Sequence, residues 1–238
     1  MDTERHLAAL RHESAALAEA ARRGLDARVP SCPDWDVAAL VRHNARAFRW
    51  ATEIVRRHAD AEVSMEDLPD PPGDDVVAAF EEATAELVDV LANEAPDTRV
   101  WTWSEGDFSV RFWARRMANE VAVHRWDAQL AHGEPEPIEP ELAADGVDEL
   151  LTVFLSAGLG RRPVDGLAGT FEVLATDTGD AWHGELWPDR AEAGAGRAVD
   201  PPDATLRGTV SDLLLAMWGR DVPVERGGDP RIIGVLTA

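Results

Sequence analysis

The run Met117 to His132, M-A-N-E-V-A-V-H-R-W-D-A-Q-L-A-H, decides how this chain is read. It contains neither Gly nor Pro, and its pattern predicts a helix. Glu120 and His124 are four residues apart, so they project from one face, one turn from each other. A carboxylate and an imidazole at that spacing can both reach one metal ion. Two ligands do not make a site, so a third has to come from elsewhere in the chain.

The helix extends outward from this run. Ser109 is placed to cap its start and Gly133 to end it. The inward stripe is Trp113, Met117, Glu120, His124, Asp127 or Ala128, then Ala131. Two ionisable groups interrupt an otherwise apolar stripe, and a buried carboxylate needs a partner. An arginine would serve, and so would a metal. Upstream, Asp36 caps a helix from Val37 to about His58 whose stripe is Leu40, His43, Ala47, Trp50 and Ile54. His43 is thus on its apolar side or at its edge. In a four-helix bundle, side chains on different helices converge on one core site. His43, Glu120 and His124 around an open fourth position match a recurrent catalytic zinc arrangement. The spacing leaves a second reading open, in which Glu120 pairs with Arg115, Arg116 or Arg125 and the histidines pack.

Two further helices complete the bundle, residues 3 to 24 with Leu7, Leu10, Leu17 and Ala21, and Asp74 to Asn93 with Val77, Phe80, Thr84, Leu87 and Leu91. Asp74 or Asp75 caps the latter. Gly24 is placed to close the former, and Val100 to Trp103 reads as a short extended piece. The segment G-E-P-E-P-I-E-P, Gly133 to Pro140, reads as a linker. A helix from Glu141 to about Ala157 follows. Then come two strand-like runs, Thr170 to Ala175 and Ala181 to Trp187, joined by D-T-G-D as a hairpin. Ala204 to Arg207 and Val222 to Val224 are candidate strands. Thr209 or Ser211 caps a short helix that Gly219 closes, and R-I-I-G-V-L forms a short amphipathic tail. The expected class is α+β, with a helical bundle over residues 1–133 and a smaller α+β domain over residues 141–238.

The 238 residues carry 45 acidic and 23 basic side chains, a net charge of -22, and every basic residue is Arg. Phosphate binding needs a basic footprint, so nucleic acid is not an expected partner, nor is an anionic membrane surface. With Cys32 alone, no internal disulfide is possible. The start M-D-T-E-R-H-L lacks the pattern of a secretory leader, and no apolar run reaches membrane-spanning length. The expected location is the cytoplasm. Nine Trp without a Tyr read first as core residues. His6 and His12 are expected on the surface. His58, His132 and His183 are expected to be exposed and are not selected as ligands.

The segment V-P-S-C-P-D-W-D-V-A-A-L-V-R-H-N, Val29 to Asn44, resembles the start of the mycothiol-dependent maleylpyruvate isomerase family. The match rests on Val29, Pro30, Cys32, Pro33 and Trp35, then Leu40 and His43. A second signature is the run Glu120, His124, Arg125, Trp126, Asp127. The resemblance implies a DinB-like metal-binding four-helix bundle followed by a sterol-carrier-protein-like α+β domain. It implies that His43, Glu120 and His124 bind a divalent metal, zinc in the first place. It further implies mycothiol as thiol cosubstrate and a small electrophile as partner. The activity would be an S-transferase or a maleylpyruvate isomerase-like enzyme in which a metal-bound thiolate is the nucleophile. A non-catalytic metal- or ligand-binding module is the alternative. Asp127, on the face of Glu120, either orients a ligand imidazole or caps a surface interaction. Arg220, at the end of L-L-L-A-M-W-G-R, either holds a substrate or thiol carboxylate or complements a helix C-terminus. Cys32 reads as a packed loop residue rather than a rival nucleophile.

Overall fold

The computed structural model describes residues 1–68, 75–104, 106–133, 135–155 and 166–237. The chain divides into two compact units, Met1–Glu136 and Pro137–Ala238. The fold is α+β, four helices followed by a mixed sheet with its own helices.

The first unit contains α1 (Thr3–Arg22), α2 (Val37–Arg56), α3 (Val76–Asn93) and α4 (Val110–Leu130). Asp2, Asp36 and Asp75 cap the first three, each accepting from backbone N–H groups of the first turn. Asp74 lies outside the described residues. Ser109 occupies the N-cap position of α4 but makes no capping bond; its hydroxyl donates to Asp107 instead. Gly24 donates to Ala21 without entering the left-handed region. Residue Arg99 pairs with Ser109 as an isolated bridge, so the 100–103 piece forms no strand. Helix α1 packs on α4 and α3, and α2 packs on α3 and α4. Helix α4 is buried around most of its circumference, including Arg116, Asn119, Arg125 and Asp127.

Two histidine expectations need correction. His6 is 4% exposed, on the buried side of α1, whereas His12 is at the surface. Spacing from His12 placed it outside, but it is next to Leu7 and four residues before Leu10, inside the packed stripe. His132 is half-buried rather than exposed, while His58 and His183 are exposed. The tryptophans fill space as expected of large aromatics. Trp113 is fully buried and meets Trp50 edge-on at 4.9 Å and Phe112 at 5.4 Å. Its indole N–H donates to the Trp101 carbonyl at 2.9 Å, and that of Trp50 to the Val63 carbonyl at 2.6 Å.

The second unit starts with α5 (Pro140–Glu149), which continues as a π-helical segment over Leu150–Leu155. The helix expected to run to Ala157 thus changes type at Leu150, and residues 156–157 lie outside the described residues. Strands β1 (Gly169–Ala175), β2 (Ala181–Trp187), β3 (Arg190–Ala195), β4 (Ala204–Gly208) and β5 (Glu225–Gly228) form one sheet in the order β3-β2-β1-β4-β5. Only β1 and β4 pair in parallel. The β1–β2 hairpin turns through 177–180, with Gly179 at φ 81°. Helix α6 (Val210–Met217), capped by Thr209 and followed by Gly219 at φ 78°, packs on β1 and β4. Helix α7 (Pro230–Leu236) is the amphipathic tail.

Both edge strands escaped the sequence reading. β3, R-A-E-A-G-A, has low intrinsic strand propensity and is set by its partner β2. The last strand is Glu225–Gly228, not Val222 to Val224. Its glycines permit close approach: a Cβ on Gly227 would be 2.6 Å from Thr205 Oγ1. Gly184 in β2 is a stronger case. A Cβ there would meet Glu192 O at 2.6 Å and the fully buried Phe171 ring at 2.7 Å from Cε1. Gly184→Ala is therefore expected to destabilise the second unit by about 2–3 kcal/mol, the upper part of the range for overpacking. Urea unfolding followed by circular dichroism checks this, and a shift under about 0.5 kcal/mol would contradict it.

Candidate metal centre

The loop before α2 holds itself together through backbone bonds. Val29 N–H donates to the Trp35 carbonyl at 3.1 Å, and Trp35 N–H to the Cys32 carbonyl at 2.8 Å. Cys32 is a half-buried member of this turn. The loop delivers two side chains, Ser31 and Trp35, to the seam where α2 meets α4.

At that seam the structure brings His43, Glu120 and His124 together, with one ligand atom from each lying within 4.8 Å of the others. Glu120 Oε1 is 3.1 Å from His43 Nε2 and 3.3 Å from His124 Nε2. Donors about 2.0–2.1 Å from a tetrahedral ion are themselves roughly 3.3–3.4 Å apart, so these separations suit one shared ion. Two imidazoles and a carboxylate are also the donor types that divalent zinc, nickel and iron accept. The residues fit such a group.

Behind the cluster the side chains are fixed in turn. His124 Nδ1 faces Asp127 Oδ2 at 3.0 Å, and Ser31 Oγ donates to Asp127 Oδ1 at 2.5 Å. With Nδ1–H donating to the Asp127 carboxylate, loss of the Nε2 proton would leave a lone pair there directed toward Glu120 and His43. The indole of Trp35 lies against both rings, 4.9 Å from that of His43 and 6.1 Å from that of His124. Exposure rises across the site, from 0% at Asp127 through 11% at His124 and 21% at Glu120 to 34% at His43. The cluster is therefore anchored in the bundle and open at its His43 edge.

The alternative of an arginine partner for Glu120 is realised as well, on the other oxygen. Arg116 Nη2 donates to Glu120 Oε2 at 2.8 Å. Arg125 points elsewhere: its Nε donates to Glu13 Oε2 at 2.7 Å, and its Nη1 to Gln129 Oε1 at 2.8 Å and the Glu136 carbonyl at 2.5 Å. Burial pushes the Glu120 carboxyl upward, but hydrogen bonds with His124 and His43 and the Arg116 charge outweigh it. They hold the group well below the usual carboxylate range. Burial pushes His124 downward, yet the hydrogen bonds to Asp127 and Glu120 and their charges raise it to about 9.

The sequence model of the mycothiol maleylpyruvate isomerase N-terminal domain matches residues 7–129, more than half of the chain. The chain belongs to the mycothiol maleylpyruvate isomerase family. The matched residues span α1 to α4 and include all of the cluster. The fold is similar to that in a crystal structure of the mycothiol-dependent maleylpyruvate isomerase, with a TM-score of 0.64 over 95% of this chain and 93% of that one. The identity is 13%, so the likeness speaks for the fold. A mutant of that enzyme gives a TM-score of 0.63, again at 13% identity and over the same shares of both chains. No curated protein matches the chain significantly in sequence.

Among the described residues of this family member, no helix is long and apolar enough to cross a membrane. Arg220 lies in the second unit, 8% exposed, and its Nη1 donates to the carbonyl of Trp218, the C-cap of α6. That contact is of the kind by which a cation satisfies a helix C-terminus. Sequence reading named Arg116 as one of three possible partners for Glu120, and the structure realises that one. It did not select Ser31 or Trp35, which were inside the quoted loop motif as neighbours rather than as chemistry.

Proposed function

We propose that this family member is a divalent-metal-dependent enzyme that uses a low-molecular-weight thiol, mycothiol in the first place, on a small electrophile. The reaction is either transfer of the thiol or isomerisation through its reversible addition. The observation that carries this reading is the convergence of His43, Glu120 and His124 from two helices, within 4.8 Å, at an edge open to solvent. A divalent ion held there supplies a Lewis acid that favours the thiolate over the thiol. The chain's own residues supply orientation. Asp127 and Ser31 set the His124 ring, Arg116 sets Glu120, and Trp35 covers the imidazoles on one side. The test is thiol consumption by the metal-replete protein with electrophiles including maleylpyruvate. Turnover that depends on both thiol and metal is expected; absence of turnover with mycothiol and simpler thiols would leave a binding module.

The site also has a defined pH response. His124 titrates near 9 in the ion-free protein, so at pH 7 it is protonated and must release that proton to ligate. Apparent metal affinity should therefore rise roughly tenfold per pH unit from 7 toward 9 and then level off. The same group has a folded value raised above its unfolded value. Its contribution to the stability of the ion-free protein is thus complete below about 6.5 and lost as pH rises through about 9. Calorimetric titration with zinc at several pH values measures the slope, and an affinity flat from pH 7 to 9 would contradict it.

A further inference from the structure

The two histidines of the cluster are held by different means. His124 is 11% exposed, and its Nδ1 faces the Asp127 carboxylate at 3.0 Å. His43 is 34% exposed. Among the described residues no group hydrogen-bonds its Nδ1, and its polar contact is through Nε2, to Glu120 Oε1 at 3.1 Å. The ring is met instead by the indole of Trp35, with centroids 4.9 Å apart and planes tilted by 45°. We infer that Trp35 is a positioning residue whose aromatic face fixes the His43 ring for ligation, as Asp127 fixes His124 through a hydrogen bond. This rests on the metal reading above.

A ligating imidazole ordinarily has its second nitrogen tied to a carboxylate, a carbonyl or water, which sets the orientation of the ring. For His43 the contact with Glu120 cannot take that part. It runs through the ligating nitrogen itself, so it is given up once Nε2 and Oε1 both turn to an ion. A contact at one ring atom also leaves the ring free to swing about it. A neighbouring face blocks that swing, and 4.9 Å is within the range of favourable aromatic pairs. The face must itself be fixed. Trp35 N–H donates to the Cys32 carbonyl at 2.8 Å, and the Trp35 carbonyl accepts from Val29 N–H at 3.1 Å. Next in the chain, Asp36 caps α2, the helix that carries His43, by accepting from Ala39 N–H at 2.8 Å. Wall and ligand thus belong to one braced segment. Trp35 is farther from His124, at 6.1 Å, and that ring already has Asp127, so the effect falls on His43.

The test is zinc affinity of the full chain, by dye competition, in two variants. Trp35→Leu keeps apolar bulk without a ring face, and Trp35→Phe keeps the face. W35L should bind zinc about three- to tenfold more weakly than wild type, the weight of one aromatic pair, and W35F within about twofold of it. Because Trp35 and Asp127 act on different ligands, the losses of W35L and D127N should multiply in the double variant. W35L within about twofold of wild type, W35F as weak as W35L, or a double variant no weaker than D127N would overturn the inference and leave the metal reading standing. A wild type that takes up no zinc would overturn the metal reading itself. Should W35L not fold, carbon-13 relaxation of the His43 ring in ion-free wild type decides. A ring as ordered as that of His124 supports the inference, and one that averages between rotamers overturns it.

Discussion

Replacing His124 by Ala is expected to remove high-affinity divalent-metal binding. The side chain supplies one of three converging donors, and Asp127 and Ser31 hold it in register. Loss of an outer partner of a ligand typically costs 10–100-fold in affinity. Asp127→Asn should fall in that range, since the amide can no longer accept as a charged group from Nδ1. His124→Ala removes the donor itself and should exceed it. Competition against a chelating dye at pH 7.5 gives both values. An H124A protein that binds zinc within tenfold of wild type, or more tightly than D127N, would contradict the assignment. The comparison separates a ligand from a buried packing residue, because packing alone predicts no such order.

The second large effect is on stability and concerns the neighbouring arginine. Arg125 and Glu13 are almost fully buried, at 4% and 3% side-chain exposure, and 2.7 Å apart. Arg125 also ties α4 to the Glu136 carbonyl. Removing one member of such a pair strands a charge in the bundle, which costs about 3–5 kcal/mol. Arg125→Met is expected to lose that much. The double variant Arg125→Met, Glu13→Met should be clearly more stable than the single one, because no unpaired charge remains. Urea denaturation of the variants measures the difference. A loss under about 1 kcal/mol for R125M would contradict the pairing. The same variant should still bind its metal, which marks Arg125 as part of the scaffold although it lies in the middle of the Glu-His-Arg-Trp-Asp run.

How much of this could be read from residues alone differs between the two units. The caps Asp36 and Asp75 and the stripes of α2 and α3 were legible because each helix buries one face and exposes the other. His43, Glu120 and His124 were legible as candidates because ionisable groups on an apolar stripe demand a reason. Their mutual distance was not, since nothing in the spacing of α2 fixes its rotation against α4. The reading also framed an arginine and a metal as alternative partners for Glu120. A carboxylate has two oxygens, and the structure sets one against Arg116 while the other faces the two histidines. Helix α4 was legible as a helix with its inward stripe, but the burial of Arg116, Asn119 and Arg125 was not, because a helix buried on most sides carries little periodic signal. In the sheet, β3 and β5 went unread because Ala, Gly and Glu do not favour strands. Their conformation comes from β2 and β4, and from glycines that let backbones approach.

The central claim is that His43, Glu120 and His124 together hold one divalent ion, and metal content tests it most directly. The purified protein is loaded with zinc, passed through a desalting column and analysed for metal per chain, beside His43→Ala treated in the same way. His43 comes from the other helix and is the most exposed of the three, so its loss disturbs the fold least. One zinc per chain in wild type and a substoichiometric amount in H43A is the predicted result. No retained zinc in wild type, or one full equivalent in H43A, would contradict it.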